Sequence, residues 1–180
     1  MRSRPIAGFL VMLALVGCAP TAAVRDDGAV LRAVLENFCV GKTSQFSVIS
    51  DAPANTYGVP KEWPLSHDYE RQLQHQPVSS PAWQAGQICA KARIVPKREI
   101  DATFANDRRV PPGWEKFFET FKGAHGYHAY SRPIYSSDGK HAVIFSDWRC
   151  DQGCGMGMVT ELEWTGGHWR VVRYAGTWIA

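Results

Sequence analysis

The last third of the chain constrains the fold most strongly, because strand patterns and turn signals alternate along it. Two predicted strands, 127–134 and the largely apolar 141–149, flank an Asp138-Gly139 pair of the kind that closes tight hairpins. Residues 158–164 alternate between apolar and polar and lead into a second turn at 165–167, after which a last strand returns. This pattern predicts an antiparallel β-meander.

Two helices are predicted before this meander, the second of them directly before its first strand. Apolar residues recur at helical spacing over residues 30–38, and Asp26 or Asp27 can cap the beginning of that helix. A second helix follows Pro112, which suits a first helical turn because its missing N–H is harmless there.

Two further strands are predicted at 45–50 and 88–95, where apolar residues alternate. No repeat or second core is visible, so residues 27–180 are predicted to form a single domain. We expect an α+β fold, with an antiparallel sheet of about five or six strands and two main helices packed on one of its faces.

The first residues carry a compartment signal. Arg2 and Arg4 precede a short apolar run, 6–16, which is too short to cross a bilayer as a mature helix and is typical of a signal-peptide core. The run ends at Leu15-Val16-Gly17-Cys18, which resembles the lipobox of bacterial lipoproteins.

This resemblance implies that residues 1–17 form a removable signal peptide and that Cys18 becomes a lipid-modified N-terminus carrying acyl chains such as palmitate. Several acyl chains together anchor a protein firmly, and 18–26 would be the tether. Ala19 after the cysteine, in place of an aspartate, favours the outer membrane facing the periplasm. The expected location is therefore the bacterial cell envelope, with the membrane contacted through the lipid.

With Cys18 lipidated, four cysteines remain, and an even number in an oxidising compartment indicates two disulfides. Three connectivities are possible. We favour Cys39–Cys89 with Cys150–Cys154, because the second pair can close across a tight turn, while the first would link a helix to the sheet.

Charge narrows the range of partners. The chain has a net charge of +3, and removal of Arg2 and Arg4 with the signal peptide leaves +1 (+3 minus 2). No basic run is longer than two residues, so nucleic acid is not an expected partner.

Five motifs of the last third are similar to those of another group of proteins: Ser131-Arg132-Pro133, Asp138-Gly139-Lys140 with the apolar strand after it, Cys-x-x-x-Cys-Gly-x-Gly from Cys150, Gly167-His168-Trp169-Arg170-Val171, and Trp178-Ile179. Together they resemble the C-terminal meander of a set of uncharacterised secreted and lipid-anchored bacterial proteins. The resemblance implies a fold and a compartment, and it supplies no catalytic residue.

A soft-metal site is one hypothesis for the stretch 147–158. Cys150, Cys154, Met156 and Met158 offer the thiolate and thioether ligands that select Cu(I). Against this, a disulfide would consume both thiols, and methionines that alternate with glycine on one strand face more often pack as core.

A zinc site using His125, His128 and His141 with the cysteines is a weaker hypothesis, because exposed loop histidines explain the same residues. Zinc needs four ligands in a tetrahedral array, and the spacing does not specify one.

Two catalytic arrangements are further hypotheses. Ser131, His141 and Asp147 could form a hydrolase triad, but no nucleophile-elbow motif surrounds the serine. Glu161 and Glu163 could act as a glycosidase pair, yet alternation predicts that both lie on one solvated sheet face.

Seven tryptophans are many for this length, and any that are exposed would mark a contact with a ligand or protein. The sequence thus favours a lipid-anchored, non-enzymatic protein that binds an envelope protein or a small ligand and needs no cofactor. The alternative is a copper-binding or thiol-redox envelope protein.

Overall fold

The structure, a computed structural model, describes residues 25–41, 46–63, 69, 71–72, 88–105 and 113–180. The predicted signal peptide, Cys18 and Pro112 lie outside these ranges. In chain order the elements are α1 (Asp27–Val34), α2 (Glu36–Val40), β1 (Phe46–Ser50), β2 (Ala92–Val95), α3 (Lys97–Ala102), α4 (Glu115–Thr120), β3 (Ala124–Tyr130), β4 (Ile134–Tyr135), β5 (His141–Asp151), β6 (Cys154–Thr165) and β7 (His168–Ile179).

The seven strands form one mixed sheet in the order β2-β1-β3-β5-β6-β7, with β4 paired to β5 beyond the end of β3. The predicted C-terminal meander is confirmed, because β5, β6 and β7 pair as consecutive antiparallel strands and β3 pairs antiparallel with β5. The prediction of a purely antiparallel sheet is wrong, since β1 is parallel to both β2 and β3. Parallel neighbours require long crossovers, which the segments after β1 and β2 provide.

Two predicted strands differ in extent. Only Ala92–Val95 of the predicted strand 88–95 joins the sheet, because the chain turns before it and the amide of Ala92 donates to the carbonyl of Cys89 at 3.1 Å. The predicted strand 127–134 is interrupted at 131–133 and becomes β3 and β4. Pro133 lies in the interruption and has no amide hydrogen to donate to a ladder.

The first predicted helix forms in two pieces, α1 and α2, which meet at Leu35. Asp26 is the N-cap, and its carboxylate accepts from the amide of Ala29 at 3.0 Å. None of the helices within the described ranges has the length and apolar character needed to span a bilayer.

Helices cover both faces of the sheet, which corrects the prediction of two main helices on one face. Adjacent residues of β1 show this: Ile49 packs in one core with Leu31 of α1, whereas Val48 packs in another with Phe117 of α4. Because neighbouring residues of a strand point to opposite faces, α1 and α4 lie on opposite sides. The face that carries Ile49 is called the α1 face below.

The opposite face of β5 and β6 is covered by the segment after β1. Val59, Trp63 and Tyr69 pack there against Val143 and Phe145 of β5. The sheet is thus buried on both sides at its centre, which is why β5 reads as an almost continuous apolar run.

Both predicted disulfides are present. Cys39 of α2 is bonded to Cys89, with their Cα atoms 5.9 Å apart, and Cys150 is bonded to Cys154 across the β5–β6 turn, with Cα atoms 5.3 Å apart. Gly153 takes a φ of +66° in that turn, a conformation that favours glycine.

The glycines that follow Cys154 have a packing role. A Cβ at Gly157 would overlap the Trp178 indole, and one at Gly155 would lie 3.1 Å from the same ring. The indole therefore lies against glycine backbone, and its Nε1 donates to Asp147 at 2.7 Å. The other oxygen of Asp147 accepts from the amide of Asn55 at 2.9 Å, so this buried carboxylate joins the edge strand, the central strand and the segment after β1.

Candidate functional site: a tryptophan-lined groove

A groove of about 550 Å³ opens between the α1–α2 pair and the β6–β7 hairpin. One wall is helical, a second is the hairpin, and the Cys39–Cys89 region closes a third side. Its lining residues are Asp26, Ala29, Arg32, Ala33, Glu36, Cys39, Val40, Ile88, Trp164, Gly167, His168 and Trp169.

The hairpin wall is aromatic. Gly166 and Gly167, with φ values of +62° and +88°, form the turn that brings Trp164 and Trp169 directly opposite each other. Their rings meet edge to face with centroids 5.5 Å apart. Trp169 is almost fully buried, while Trp164 is only partly buried, so Trp164 is the indole that a ligand can reach.

The buried indole also leaves a hydrogen-bond donor unused. Trp169 Nε1 is buried and has no hydrogen-bond partner in the part of the chain that the structure describes. Buried indole N–H groups usually find an acceptor, because an unsatisfied donor in the interior costs about 1–3 kcal/mol.

The helical wall combines small residues with charged ones. Ala29 and Ala33 lie one helical turn apart and leave space beside the indoles. Arg32 forms an ion pair with Asp26 at 3.5 Å, whereas Glu36 has no ion-pair partner among the described residues. The two carboxylates outnumber the single guanidinium, so these side chains give the groove one net negative charge.

A covalent bond fixes the third side. The disulfide joins Cys39, at the end of the helical wall, to Cys89, which follows the buried lining residue Ile88. The predicted disulfide between a helix and the strand region therefore ties the end of the helical wall to the chain beside Ile88.

The other predicted site residues are placed differently. Cys150 and Cys154 are bonded to each other, so their thiolates are not available as metal ligands in this state. Met156 and Met158 share the α1 face as predicted, but they are not core: Met156 is 36 % exposed, and Met158 is partly buried.

The three histidines of the zinc hypothesis are not brought together. His125 is exposed, His128 stacks on Trp148 with ring centroids 6.0 Å apart, and His141 begins β5, seven residues from Trp148. Within the described ranges no group of three histidine, cysteine or acidic residues could hold a metal ion.

The members of the hydrolase triad have separate structural roles. The Ser131 hydroxyl accepts from the amide of Phe145 at 2.9 Å, and Asp147 binds the Trp178 indole and a backbone amide. His141 lies six residues from Asp147 on the same strand, which corresponds to about 20 Å.

Glu161 is the clearest correction among the predicted site residues. It is not solvated but only 2 % exposed; it accepts a hydrogen bond from Arg173, and His141 Nδ1 lies 3.4 Å away. The Arg173 guanidinium in turn lies 5.0 Å from the Trp63 ring centre. Glu161 and Glu163 do lie on one face, as the alternation predicts. The sequence does not show that the segment after β1 covers this part of the face and buries Glu161.

The groove itself was missed, although its signal is present in the sequence. Trp164 and Trp169 flank a Gly-Gly turn, and a two-residue hairpin loop necessarily pairs the residues on either side of it. The sequence does not reveal which helix packs beside this hairpin, and the groove forms only where the two meet.

Compared with known proteins, the chain matches no protein-family model, no curated protein and no solved structure. The fold and the site alone therefore define the class: an α+β domain with a mixed seven-stranded sheet, two disulfides and a groove lined by tryptophan.

Proposed function

We propose that this chain is a lipid-anchored binding protein of the bacterial cell envelope, held at the outer membrane through Cys18 and facing the periplasm. The lipobox-like Leu15-Val16-Gly17-Cys18 supports the anchor. The two disulfides support an oxidising compartment, because such bonds are rare in the cytosol.

The observation that carries the binding role is the tryptophan-lined groove. Its lining includes one accessible indole, Trp164, and a carboxylate, Glu36, that has no ion-pair partner among the described residues. An aromatic face beside an excess of negative charge favours a cation, through cation–π attraction together with ion pairing. The ligand we propose is a small molecule or an exposed peptide segment of an envelope protein that places an apolar group beside a positively charged one.

The test uses the indole N–H signals of the seven tryptophans as reporters in a ¹⁵N NMR titration. The probes are benzyltrimethylammonium and toluenesulfonate, which have similar size and opposite charge. We expect the cation to shift the Trp164 and Trp169 signals in a saturable way, and the anion to do so much more weakly. The Trp178 signal should stay in place, because that indole is committed to Asp147.

Variants separate groove binding from nonspecific contact. Trp164→Ala should abolish saturable binding, and Glu36→Gln should weaken binding of the cation several-fold because it removes the unpaired charge. Trp148→Phe, on strand β5 away from the groove, is the matched control and should bind as the wild type does. Equal responses to both probes, or a response centred on Trp178, would remove the basis of the proposal.

The anchor is tested separately in a bacterial host fed with labelled palmitate. The wild-type chain and Cys39→Ser should both incorporate the label, whereas Cys18→Ser should not. Label that persists in Cys18→Ser would refute lipidation at this position, and it would leave the groove proposal untouched.

A further inference from the structure

The outer strand of the sheet carries a second interaction surface. β7 runs over twelve residues at one edge, and among the described residues no strand pairs with its outer side. Four of the seven exposed large hydrophobic side chains in the described ranges lie on this strand: Val171, Val172, Tyr174 and Ile179. Such an edge presents unpaired backbone amides and carbonyls together with apolar side chains, which is the arrangement that recruits another strand.

Some of the usual protections of an edge strand are missing here. β7 contains neither lysine nor proline. Its two arginines are turned to the neighbouring strand, where Arg170 pairs with Glu163 at 3.7 Å and Arg173 with the buried Glu161. Two bulges, at Val172 and Thr177, interrupt the ladder to β6 and leave Arg173–Gly176 regular between them.

We propose that β7 pairs antiparallel with β7 of a second copy of this chain, so that the sheet continues through a two-fold axis at Tyr174. Tyr174, which is 69 % exposed, then meets its own copy, and the small Gly176 lies beside Val172 of the second copy. No like charges oppose each other, because Arg173 faces Ala175 and Arg170 faces Trp178. An isologous contact of this kind is closed and gives a dimer rather than a fibre.

The size of the contact sets its strength. A twelve-residue strand is about 40 Å long, and a sheet edge about 10 Å thick gives a total buried area of at most roughly 800 Å² for the two copies, which is reached only if the whole strand pairs. Stable complexes usually bury about 1,200–2,000 Å², so the dimer should be a concentration-dependent, weak one.

Sedimentation velocity of the full-length chain in mild detergent tests this proposal, from low micromolar to near-millimolar protein. The wild type should pass from monomer to dimer over this range. Tyr174→Lys and Tyr174→Glu should each stay monomeric, because each places two like charges together at the axis. An equimolar mixture of the two variants should recover the dimer through opposite charges, a result that only pairing of β7 with β7 explains.

Glu99→Lys, which changes an exposed residue of α3, the helix that follows the opposite edge strand β2, is the control and should dimerise like the wild type. Amide exchange offers a second readout, since protection along β7 should rise with protein concentration. A wild type that is monomeric throughout, a dimer that survives in Tyr174→Lys, or a mixture that fails to associate would each overturn the proposal. A monomer whose β7 amides become protected only by another protein would assign the edge to a different partner.

Discussion

Acidification should destabilise this protein through one histidine. His128 lies in strand β3 between two aromatic rings, with centroids 5.9 Å from Tyr130 and 6.0 Å from Trp148. Burial lowers the pKa of His128 from 6.5 to about 4, because the charged imidazolium loses its hydration there.

The direction follows from comparing the folded and unfolded chains. Above pH 6.5 the imidazole is neutral in both, so it contributes no pH dependence. Between pH 6.5 and about 4 the unfolded chain takes up a proton that the folded chain does not, so stability falls as the pH falls. At about 1.4 kcal/mol for each pH unit, this window corresponds to about 3 kcal/mol.

The measurement is urea unfolding at pH 7 and pH 4, followed by tryptophan fluorescence, for the wild type and His128→Gln. Each protein loses some free energy of unfolding between pH 7 and pH 4. The carboxylates titrate alike in the wild type and the variant, so the difference between the two losses is the contribution of His128. We expect the wild type to lose about 3 kcal/mol more than the variant. His125→Gln, at an exposed position on the same strand, should keep the wild-type behaviour. Equal losses in the wild type and His128→Gln would refute the reasoning.

Three further outcomes are expected from measurements of stability and of ligand binding on single and double variants. Replacing Cys39 and Cys89 by serine should lower the free energy of unfolding by about 4 kcal/mol, because that bond closes a loop with a sequence separation of 50. Replacing Cys150 and Cys154 should lower it by only about 2 kcal/mol, because their separation is 4. The opposite order in urea unfolding would contradict the loop-entropy argument. The Cys39–Cys89 variant should also lose ammonium binding in the groove, as read by NMR, while the other variant keeps it. Gly157→Ala should destabilise the fold by about 1–3 kcal/mol by displacing the indole that lies against it, and an unchanged thermal midpoint would count against that packing.

Much of the C-terminal fold could be predicted, because its information is local. The Asp138-Gly139 and Gly166-Gly167 turns specify hairpins, and a hairpin fixes the pairing of the strands on either side of it. The Cys150–Cys154 bond follows from similar turn geometry, since only three residues lie between the two cysteines.

The N-terminal half was harder to predict, because its pairing is not local. β1 pairs with two strands far along the chain, and nothing in a five-residue strand reveals whether its neighbours run parallel. The burial of Glu161 was unpredictable for a similar reason. The alternation along β6 predicts the face on which Glu161 lies, but not what covers that face. Glu161 pairs with Arg173, and the Arg173 side chain lies beside Trp63, which is about a hundred residues earlier in the chain.

The sequence by itself therefore determined the strands, the hairpin turns and the residue types of the proposed anchor, since each depends on neighbouring residues and their backbone preferences. Only the tertiary structure decided which side chains meet across long sequence separations. The groove is the clearest case: helix α1 and the hairpin of Trp164 and Trp169 are individually visible in the sequence, and their contact arises only because one apolar core joins Leu31, Ile144 and Leu162. The hydrophobic effect is non-directional and stabilises any arrangement of that core that excludes water. The geometry of the groove is therefore set by the whole fold rather than by any one segment.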